Sequence, residues 1–402
     1  MAKHEDRKSA TESSEKKPGK LPAQYQNSIL DIVEILWNQT DEFHGIRPRT
    51  IAHELQYGPS ERTVYNQCRW LLEEENNVEF LTRHFGEVDV KAAADEGCTD
   101  ATPGLYMEPM FSVAEARLLA DSLMLSRISS DEFSDLIAKL TLLIGRPNSE
   151  QIMNMPAHIS GYEHYNPEFL YVIDHLNDAI VRNKVVEFHY CGYGPDGRLT
   201  PRLNDAGEPR NYKLEPYSLV YKNGIYYLLG HFYGKPVPDS NTQEENRTNI
   251  YCFMADRITD IVIDEDTDIQ VPASTWDING LLMETSSGRS DAGPFDPIQF
   301  AHTRPNMTMG TLEHIVLNVR ADMISNLYEW FDQAKVSESD ITDYYRVEVN
   351  APELATLWWA LQFSEWDNVR VVEPQSLRER LAKVGRSLYE HYSERGEDEL
   401  NR

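Results

Sequence analysis

The sequence predicts a multidomain α+β protein: an N-terminal winged helix-turn-helix, a helical linker, a small Sm/SH3-like antiparallel β-barrel and a C-terminal α+β sandwich. Three observations lead to this fold class. The chain of 402 residues is too long for one ordinary domain. Asn223-Gly224 separates two runs rich in Tyr, Val, Ile and Leu, which is a strong hairpin signal. From His314 onwards strand and helix patterns alternate, as in a small α+β sandwich.

Composition limits the location and the partners of the protein. The formal net charge of −28 argues against a protein that coats nucleic acid, although a local DNA contact depends only on the charges at the interface. Residues 1–20 are charged and lack an apolar core, so we expect a disordered tail rather than a signal peptide. No apolar run approaches the roughly 18 residues of a membrane span. We therefore expect a cytoplasmic protein without membrane contact.

The residue pattern predicts neither an enzyme nor a metal site. The cysteines, Cys68, Cys98, Cys191 and Cys252, are far apart and form no CxxC pair or His/Cys cluster. Gly192-Tyr193-Gly194 follows a strand pattern, but no helix pattern follows it, and the chain has no Walker loop, HExxH or GxSxG. We expect no catalytic residue, no metal and no cofactor.

Residues 21–110 are predicted to form the winged helix-turn-helix. Apolar residues at helical spacing predict a first helix that ends near Gln39. A second helix is predicted over Thr50–Gln56, with Thr50 as its N-cap, and Ser60 is predicted to cap a third helix that ends near Glu73. Helix, helix, turn and helix in this short span is the spacing of a helix-turn-helix.

The wing is predicted from the residues that follow. Val78–Phe85 and Gly104–Met107 have strand character, and Gly86–Pro103 between them is predicted to be a long, loose tip. Beyond the wing, residues 111–165 are predicted to be a helical linker. A capping box at Ser112-Val113-Ala114-Glu115 opens its first helix, to about Ile128, and Ser130–Ile144 forms its second.

The third helix has the composition of a DNA recognition helix. The face opposite its apolar stripe combines two arginines, an asparagine and a tyrosine at positions i, i+3, i+4 and i+7. Arg can contact guanine or phosphate, Asn can pair with adenine, and Tyr can reach phosphate. Two further arginines precede the second helix, where its N-terminus would meet phosphate. The predicted DNA-contacting residues are Arg47, Arg49, Ser60, Arg62, Thr63, Tyr65, Asn66 and Arg69.

The alternative is that this face is only solvated. Between Pro22 and Phe85 the chain has five basic residues against ten acidic ones, whereas a DNA-binding domain is normally basic. The arginines of the predicted interface would have to form a local positive stripe. We favour DNA binding over a protein-binding role for this domain.

Three runs in the middle of the chain point to a family. Tyr212–Pro216 places a basic residue before Pro, Ile225–His231 is an aromatic-Tyr-Leu strand, and Phe253–Ile258 ends in Asp-Arg-Ile. Together with an earlier Phe-x-Tyr strand, they resemble the WYL domain of bacterial regulators, with the name-giving triplet at Tyr226-Tyr227-Leu228. The start of the third helix, Ser60–Tyr65, resembles recognition helices of the same regulators.

We expect the WYL domain over residues 166–270. Asn166-Pro167 is predicted to open a helix by cap and N1 proline, and Val185–Tyr190 to be the first strand of the barrel. Gly192–Asn211 is rich in Gly, Pro and Asp and is predicted to be a mobile hairpin, and the barrel is expected to end near Ile263. The aromatic residues of the triplet are expected in the barrel core.

The C-terminal region resembles the extension that follows many WYL domains. Residues 271–310 lack a pattern and are predicted to be a linker. Residues 311–395 are predicted to form the extension, on the basis of Val369–Pro374 followed by Leu377-Arg378. The tryptophans of this region, Trp358, Trp359 and Trp366, are expected in a core or a dimer interface.

The family resemblance implies an effector groove for a nucleic-acid-like or nucleotide ligand. By motif position its residues are Tyr190, Lys213, His231 and Arg257. Lys and Arg can attract phosphate, protonated His can donate, and Tyr can stack on a base. Two alternatives stay open: Arg257 could form an ion pair with Asp256, and His231 could be a satisfied turn residue.

Three positions depart from the family pattern. Lys213 stands where Arg is usual, Met254 stands where a second basic residue is common, and Tyr226 replaces Trp. A lysine offers a point charge where arginine offers a two-pronged donor. The departures bear on the affinity for the effector and on its identity.

The sequence as a whole predicts a bacterial transcriptional regulator. It would bind operator DNA as a homodimer and sense an oligonucleotide or nucleotide effector in the WYL domain. The alternative is an accessory WYL protein that binds single-stranded nucleic acid or a nucleotide and modulates a partner nuclease or helicase. The acidic N-terminal region favours the alternative, and the Arg62/Asn66/Arg69 face favours the regulator.

Overall fold

The computed structural model describes eight stretches of the chain, which divide into two compact units. The stretches are 26–55, 59–73, 85–124, 126–144, 165–237, 249–283, 293–331 and 333–393. One unit comprises Met1–Met124 and Ser130–Ile159, and the other comprises Leu125–Ser129 and Ser160–Arg402. No helix in the described stretches has the length and apolar character needed to cross a membrane.

The first unit opens with three helices and a two-stranded antiparallel sheet. The elements are α1 (Gln26–Gln39), α2 (Pro48–Glu54), α3 (Glu61–Leu72), β1 (Phe85–Glu87), α4 (Val90–Asp95) and β2 (Leu105–Met107). β1 pairs with β2 in antiparallel register. Ile32, Ile51 and Val64 from the three helices share a buried core with Leu105 and Met107 of β2. The sheet is therefore held against the helices by apolar burial.

Local chemistry explains where these elements differ from the prediction. α2 begins at Pro48 rather than at Thr50, since proline at the first helical position has a fixed helical φ and lacks only an N–H that the helix does not use. Residues 74–84, which contain most of the predicted first wing strand, lie outside the described residues. The predicted loose tip contains α4, whose N-cap Asp89 accepts hydrogen bonds from the backbone N–H groups of Lys91 and Ala92.

Two further helices follow, α5 (Val113–Met124) and α6 (Ser130–Leu143). The predicted capping box opens α5. The Glu115 carboxylate accepts from the Ser112 backbone N–H at 2.9 Å, and the Ser112 hydroxyl accepts from the Glu115 N–H at 3.3 Å. α5 ends at Met124 instead of near Ile128.

The second unit contains a curled antiparallel sheet packed by one helix, in the region predicted to be the barrel, and we call this sheet the barrel. Its elements are α7 (Phe169–Arg182), β3 (Lys184–Tyr193), β4 (Leu199–Pro201), β5 (Asn211–Lys222), β6 (Ile225–Phe232), β7 (Tyr251–Met254) and β8 (Ile258–Asp268). The strand order is β4-β3-β5-β6-β7, and β8 pairs with β3. Asn223 and Gly224 have φ values of 51° and 80°, so the hairpin between β5 and β6 has the left-handed turn that Asn-Gly predicts.

The start of α7 and the glycine run after β3 differ from or add to the sequence pattern. α7 begins at Phe169 with Glu168 as N-cap, two residues after the predicted start. The buried Asn166 side chain forms a turn ahead of the helix: its oxygen accepts from the Glu168 N–H at 2.9 Å, and its amide donates to the Ile258 carbonyl at 2.6 Å. Gly197 completes a GxGxxG spacing with Gly192 and Gly194, but the turn leads into β4 and not into a helix. This glycine run therefore has no helix N-terminus to hold a phosphate.

The stretch predicted as a linker, 271–310, lies against the barrel where it is described. It contains the short helix α8 (Pro297–His302). Trp276 and Phe300 are fully buried in one core with Tyr227 and Leu229 of β6. The buried Arg304 donates to backbone carbonyl groups, including that of Ile278 at 3.0 Å. The burial of these large side chains explains why a stretch without strand or helix periodicity packs against the barrel.

The C-terminal part is a four-stranded antiparallel sheet with helices. Its elements are β9 (Glu313–Arg320), α9 (Ile324–Trp330), β10 (Lys335–Glu338), β11 (Tyr344–Ala351), α10 (Glu353–Gln362), β12 (Val369–Glu373) and α11 (Gln375–Tyr392). The strand order is β10-β11-β9-β12. The strand β10 escapes prediction because it is a short edge strand in which only Val336 is apolar. Trp359 is fully buried in the core, whereas Trp366 is 77% exposed.

Candidate functional site

In the first unit, α3 separates an apolar face from a polar one. Val64, Cys68 and Leu71 are buried. The Ser60 hydroxyl accepts from the Thr63 N–H at 3.3 Å, so Ser60 caps the helix as its sequence position predicts. The four residues of the predicted recognition face are exposed: Arg62, Tyr65, Asn66 and Arg69. We call these four residues the α3 face.

The arginines on and near the α3 face form only weak ion pairs. Arg47 is exposed at the N-cap of α2. The Arg49 Nε lies 3.8 Å from a Glu61 carboxylate oxygen, and the Arg69 Nε lies 3.9 Å from that of Glu73. Exposed ion pairs of this kind contribute little to stability, so both guanidinium groups can leave their partners for a stronger anion.

In the second unit, Tyr190 lies inside the barrel. Its ring meets Phe253 edge-on, with a centroid distance of 5.0 Å, and its phenol oxygen accepts from the Met254 N–H at 3.3 Å. Burial raises the pKa of the Tyr190 phenol. The guanidinium carbon of Arg202 lies 5.0 Å from the centroid of the same ring. The side chain is therefore a neutral aromatic support with an arginine against it.

Lys213 lies away from Tyr190. It pairs across the strands with Glu187, so it faces the side of the sheet opposite Phe188 and Tyr190. Its ammonium group lies 2.9 Å from Glu187 and 2.7 Å from Asp264. These hydrogen bonds raise the pKa of Lys213 and lower those of both carboxyl groups. Its charge is already neutralised by two anions.

His231 lies in the core of the second unit. It is fully buried, and its Nδ1 and Nε2 lie 2.8 Å and 3.2 Å from the carbonyl oxygens of Asn249 and Lys235. The ring lies beside the buried Trp276, with a centroid distance of 5.0 Å. Both ring nitrogens thus lie against backbone carbonyl oxygens in the core, a position that favours the alternative of a structural residue.

Arg257 lies on the short turn Ala255–Arg257. Its neighbour Asp256 does not pair with it, as the alternative interpretation expected, but with Arg127. The buried Asp256 carboxylate accepts from Arg127 at 2.6 Å. The Arg257 guanidinium carbon lies 5.5 Å from the Tyr193 ring centroid, and its buried Nε has no hydrogen-bond partner within the described stretches. The predicted Arg257–Asp256 pair is thus replaced by Arg127–Asp256, which leaves the Arg257 guanidinium against an aromatic ring.

Two further arginines, Arg202 and Arg210, contact the tyrosines of this region and were not predicted from the sequence. The Arg210 guanidinium carbon lies 4.7 Å from the centroid of the Tyr212 ring, and the Arg210 N–H donates to the Arg202 carbonyl at 2.7 Å. Tyr190 and Tyr212 are themselves neighbours, with a centroid distance of 6.2 Å. The sequence does contain a signal for these two arginines, since a Pro-Arg dipeptide occurs twice in the predicted hairpin Gly192–Asn211, at Pro201 and Pro209. We call the following residues the arginine–tyrosine cluster: Tyr190, Tyr193, Arg202, Arg210, Tyr212 and Arg257.

The arginine–tyrosine cluster has the chemistry to hold an anionic, aromatic ligand. Arg202 and Arg210 are exposed, and Tyr193 is 37% exposed. Burial, and then the nearby charge of Asp256, raise the pKa of the Tyr193 phenol. Guanidinium groups bind phosphate in pairs of hydrogen bonds, and a neutral tyrosine ring can stack on a base.

Comparison with known families and structures confirms the resemblance in two domains. The WYL domain family model matches residues 171–263, and the WCX domain family model matches residues 311–389. The chain therefore contains a WYL domain and a WCX domain, in agreement with its resemblance to WYL-domain regulators. No match was found among curated proteins.

Two solved structures are similar at low identity. One is Proteasome accessory factor B/C (PafBC) of Arthrobacter aurescens, with 13% identity, a TM-score of 0.25 and coverage of 76% of this chain and 44% of that chain. The present chain thus spans less than half of that one. The other is a CRISPR Cas-related protein, with 12% identity, a TM-score of 0.33 and coverage of 94% of this chain and 89% of that chain.

The Arg127–Asp256 pair predicts a large effect of one substitution. Arg127→Ala leaves a buried carboxylate without its cation, and we expect the free energy of unfolding of the second unit to fall by about 3–5 kcal/mol. Urea unfolding followed by tryptophan fluorescence measures this loss. Arg117→Ala is the matched control, because Arg117 pairs with Asp121 on the half-exposed side of α5, and its removal costs about 0.5 kcal/mol or less. Equal, small losses in both variants would contradict the assignment.

Proposed function

We propose that this protein is a cytoplasmic, non-catalytic transcriptional regulator that binds duplex DNA through the α3 face and a nucleotide or oligonucleotide through the arginine–tyrosine cluster. The observation that carries the first part is the α3 face itself. It presents arginine, asparagine and tyrosine side chains to solvent on a capped helix whose other side is buried.

The order of elements around the α3 face supports DNA binding. Three helices followed by a two-stranded antiparallel sheet is the order of a winged helix-turn-helix, in which the third helix enters the major groove. Arg62 and Arg69 suit guanine or phosphate, and Asn66 suits adenine. Arg47 and Arg49 stand at the start of α2, where backbone N–H groups also attract phosphate.

The strongly negative charge of the chain affects the selectivity and the salt dependence of DNA binding. With a formal net charge of −28, the protein as a whole repels DNA, and only the local arginines attract it. We therefore infer selective rather than general binding, with an affinity that falls steeply as salt rises. A homodimer would double the number of contacts and match an operator with two-fold symmetry.

The arginine–tyrosine cluster supports the effector part of the proposal. Its exposed arginines can bind phosphate, and Tyr193 offers a ring on which a base can stack. Arg257 is the side chain most easily redirected by such a ligand, since its guanidinium is held by a ring contact and its neighbour Asp256 is taken by Arg127.

The same cluster favours a second candidate function. Arginine beside tyrosine is a sequence-tolerant platform for single-stranded nucleic acid. An accessory protein that captures a single strand in the barrel and modulates a partner nuclease or helicase would need this platform but not the α3 face. The two functions are separated by the substitutions below.

Substitution of the α3 face tests duplex binding. Arg62→Ala/Arg69→Ala should weaken binding to duplex DNA from upstream of the protein's own gene by about tenfold or more for each arginine that contacts a base. Fluorescence anisotropy at low and physiological salt measures the effect. Arg117→Ala, which removes an arginine outside α3, should bind like the wild type. Wild-type protein that binds no duplex at either salt would leave only the accessory function.

Substitution of the barrel arginines tests effector binding. Arg202→Ala/Arg210→Ala should weaken binding of a fluorescein-labelled single-stranded oligonucleotide by about tenfold or more, since each lost phosphate or stacking contact contributes about 1–3 kcal/mol. The control is Arg198→Ala, an exposed arginine of the same hairpin whose Nε lies 3.8 Å from Asp196. If Arg198→Ala weakens binding as much as the double variant, the cluster is not the binding site.

A further inference from the structure

A group of metal-binding side chains lies in the first unit, on residues that the cysteine spacing did not connect. His44, Cys98 and Asp100 each place a ligand atom within 4.8 Å of the other two. The His44 Nε2 lies 3.7 Å from an Asp100 oxygen, and the Cys98 thiol donates to the other Asp100 oxygen at 3.3 Å. The three ligand atoms are therefore close enough together to share one cation.

The ring of His44 is oriented as in many metal sites. Its Nδ1 lies 2.8 Å from the Asp41 carboxylate, which also accepts from the backbone N–H groups of Phe43 and His44. The Asp41 side chain is only 11% exposed. A carboxylate at Nδ1 keeps the proton on that nitrogen, so the lone pair of Nε2 points toward Cys98 and Asp100.

The backbone holds the two segments of the group together. The Gly45 N–H donates to the Thr102 carbonyl at 2.9 Å, and the Thr102 N–H donates to the Phe43 carbonyl at 3.0 Å. A side chain on Gly45 would come within 2.4 Å of the Gly104 carbonyl oxygen, so the close approach requires glycine. The two segments that carry the donor atoms are thus held together by main-chain contacts that do not depend on a metal.

We propose that His44, Cys98 and Asp100 form a binding site for a borderline-soft divalent cation of the Zn²⁺ class. Imidazole nitrogen, thiolate sulfur and carboxylate oxygen are the three donor types that zinc accepts, and water would complete a tetrahedral set. Hard cations such as Ca²⁺ and Mg²⁺ prefer oxygen donors alone. Binding forms three metal–ligand bonds, and the Cys98 thiol releases its proton to solvent.

The site would fasten the loop after α1 to the segment that follows α4. Both segments lie between the elements of the predicted winged domain, so a bound cation would stiffen that domain. The metal site itself does not rest on the proposed function. Metal binding and DNA binding are measured separately, so failure of one leaves the other in place.

Cobalt titration of the full-length protein tests the site. Co²⁺ bound to a thiolate gives a sulfur-to-metal charge-transfer absorption, and Zn²⁺ should displace the Co²⁺ and abolish it. We expect this absorption in the wild type and its loss in Cys98→Ser. The other three cysteines remain in that variant, so the loss identifies the ligand. Asp100→Asn, which keeps the thiol, should weaken Co²⁺ binding by at least about tenfold.

Two further variants complete the test. Asp41→Asn should weaken binding by about tenfold to a hundredfold, because Asp41 orients the imidazole without contacting the metal. Glu96→Gln, which removes an exposed carboxylate from the same segment, should bind like the wild type. Circular dichroism of the metal-free variants shows whether they are folded. No thiolate absorption in the wild type, or wild-type Co²⁺ affinity in both Cys98→Ser and Asp100→Asn, would overturn the proposal.

Discussion

The register between β3 and β5 determines the chemistry of the barrel. Phe188 pairs with Tyr212 and Glu187 pairs with Lys213, so the pleat places the aromatic residues on one face and the charged pair on the other. The aromatic face is packed with Phe253 in the core. A register shift by one residue would exchange these faces and bury Lys213. Because aromatic burial fixes the register, it also fixes which basic residues can serve a ligand.

The Arg127–Asp256 pair adds a second constraint at the edge of the cluster. Asp256 is buried and adjoins Arg257, so the ion pair holds the turn that carries Arg257. Residues 125–129 belong to the barrel unit, although along the chain they join α5 to α6 of the first unit. We propose that a ligand that moves this turn acts on a segment covalently continuous with both helices.

The parts of the structure that follow local rules could be predicted from the sequence. The capping box at Ser112, the Asn223-Gly224 hairpin and the Ser60 cap depend on neighbours within a few residues, and the structure has all three. The apolar stripe of α3 is equally local. The order of strands and helices in the WCX domain was also predictable, except for the polar edge strand β10.

The roles of single side chains were less predictable, because a role depends on partners far away in the chain. The motif positions of Lys213 and His231 are compatible with a ligand. In the structure, however, Lys213 pairs with Asp264, and the His231 ring contacts the Asn249 carbonyl oxygen. Arg202 and Arg210 come from an insert without periodicity. Trp276 lies in the predicted linker 271–310, and its burial against distant residues of the barrel gives that stretch a fixed position. His44 and Cys98 are brought together only by the fold.

The two parts of the proposed function together imply that a ligand on the barrel changes DNA binding by the α3 face. The most direct test measures the anisotropy of labelled duplex DNA with and without an unlabelled single-stranded oligonucleotide, for the wild type and for Arg202→Ala/Arg210→Ala. We expect the oligonucleotide to change the duplex Kd of the wild type by about fivefold or more and that of the variant hardly at all. An equal change in both proteins, or none in the wild type, would contradict the account.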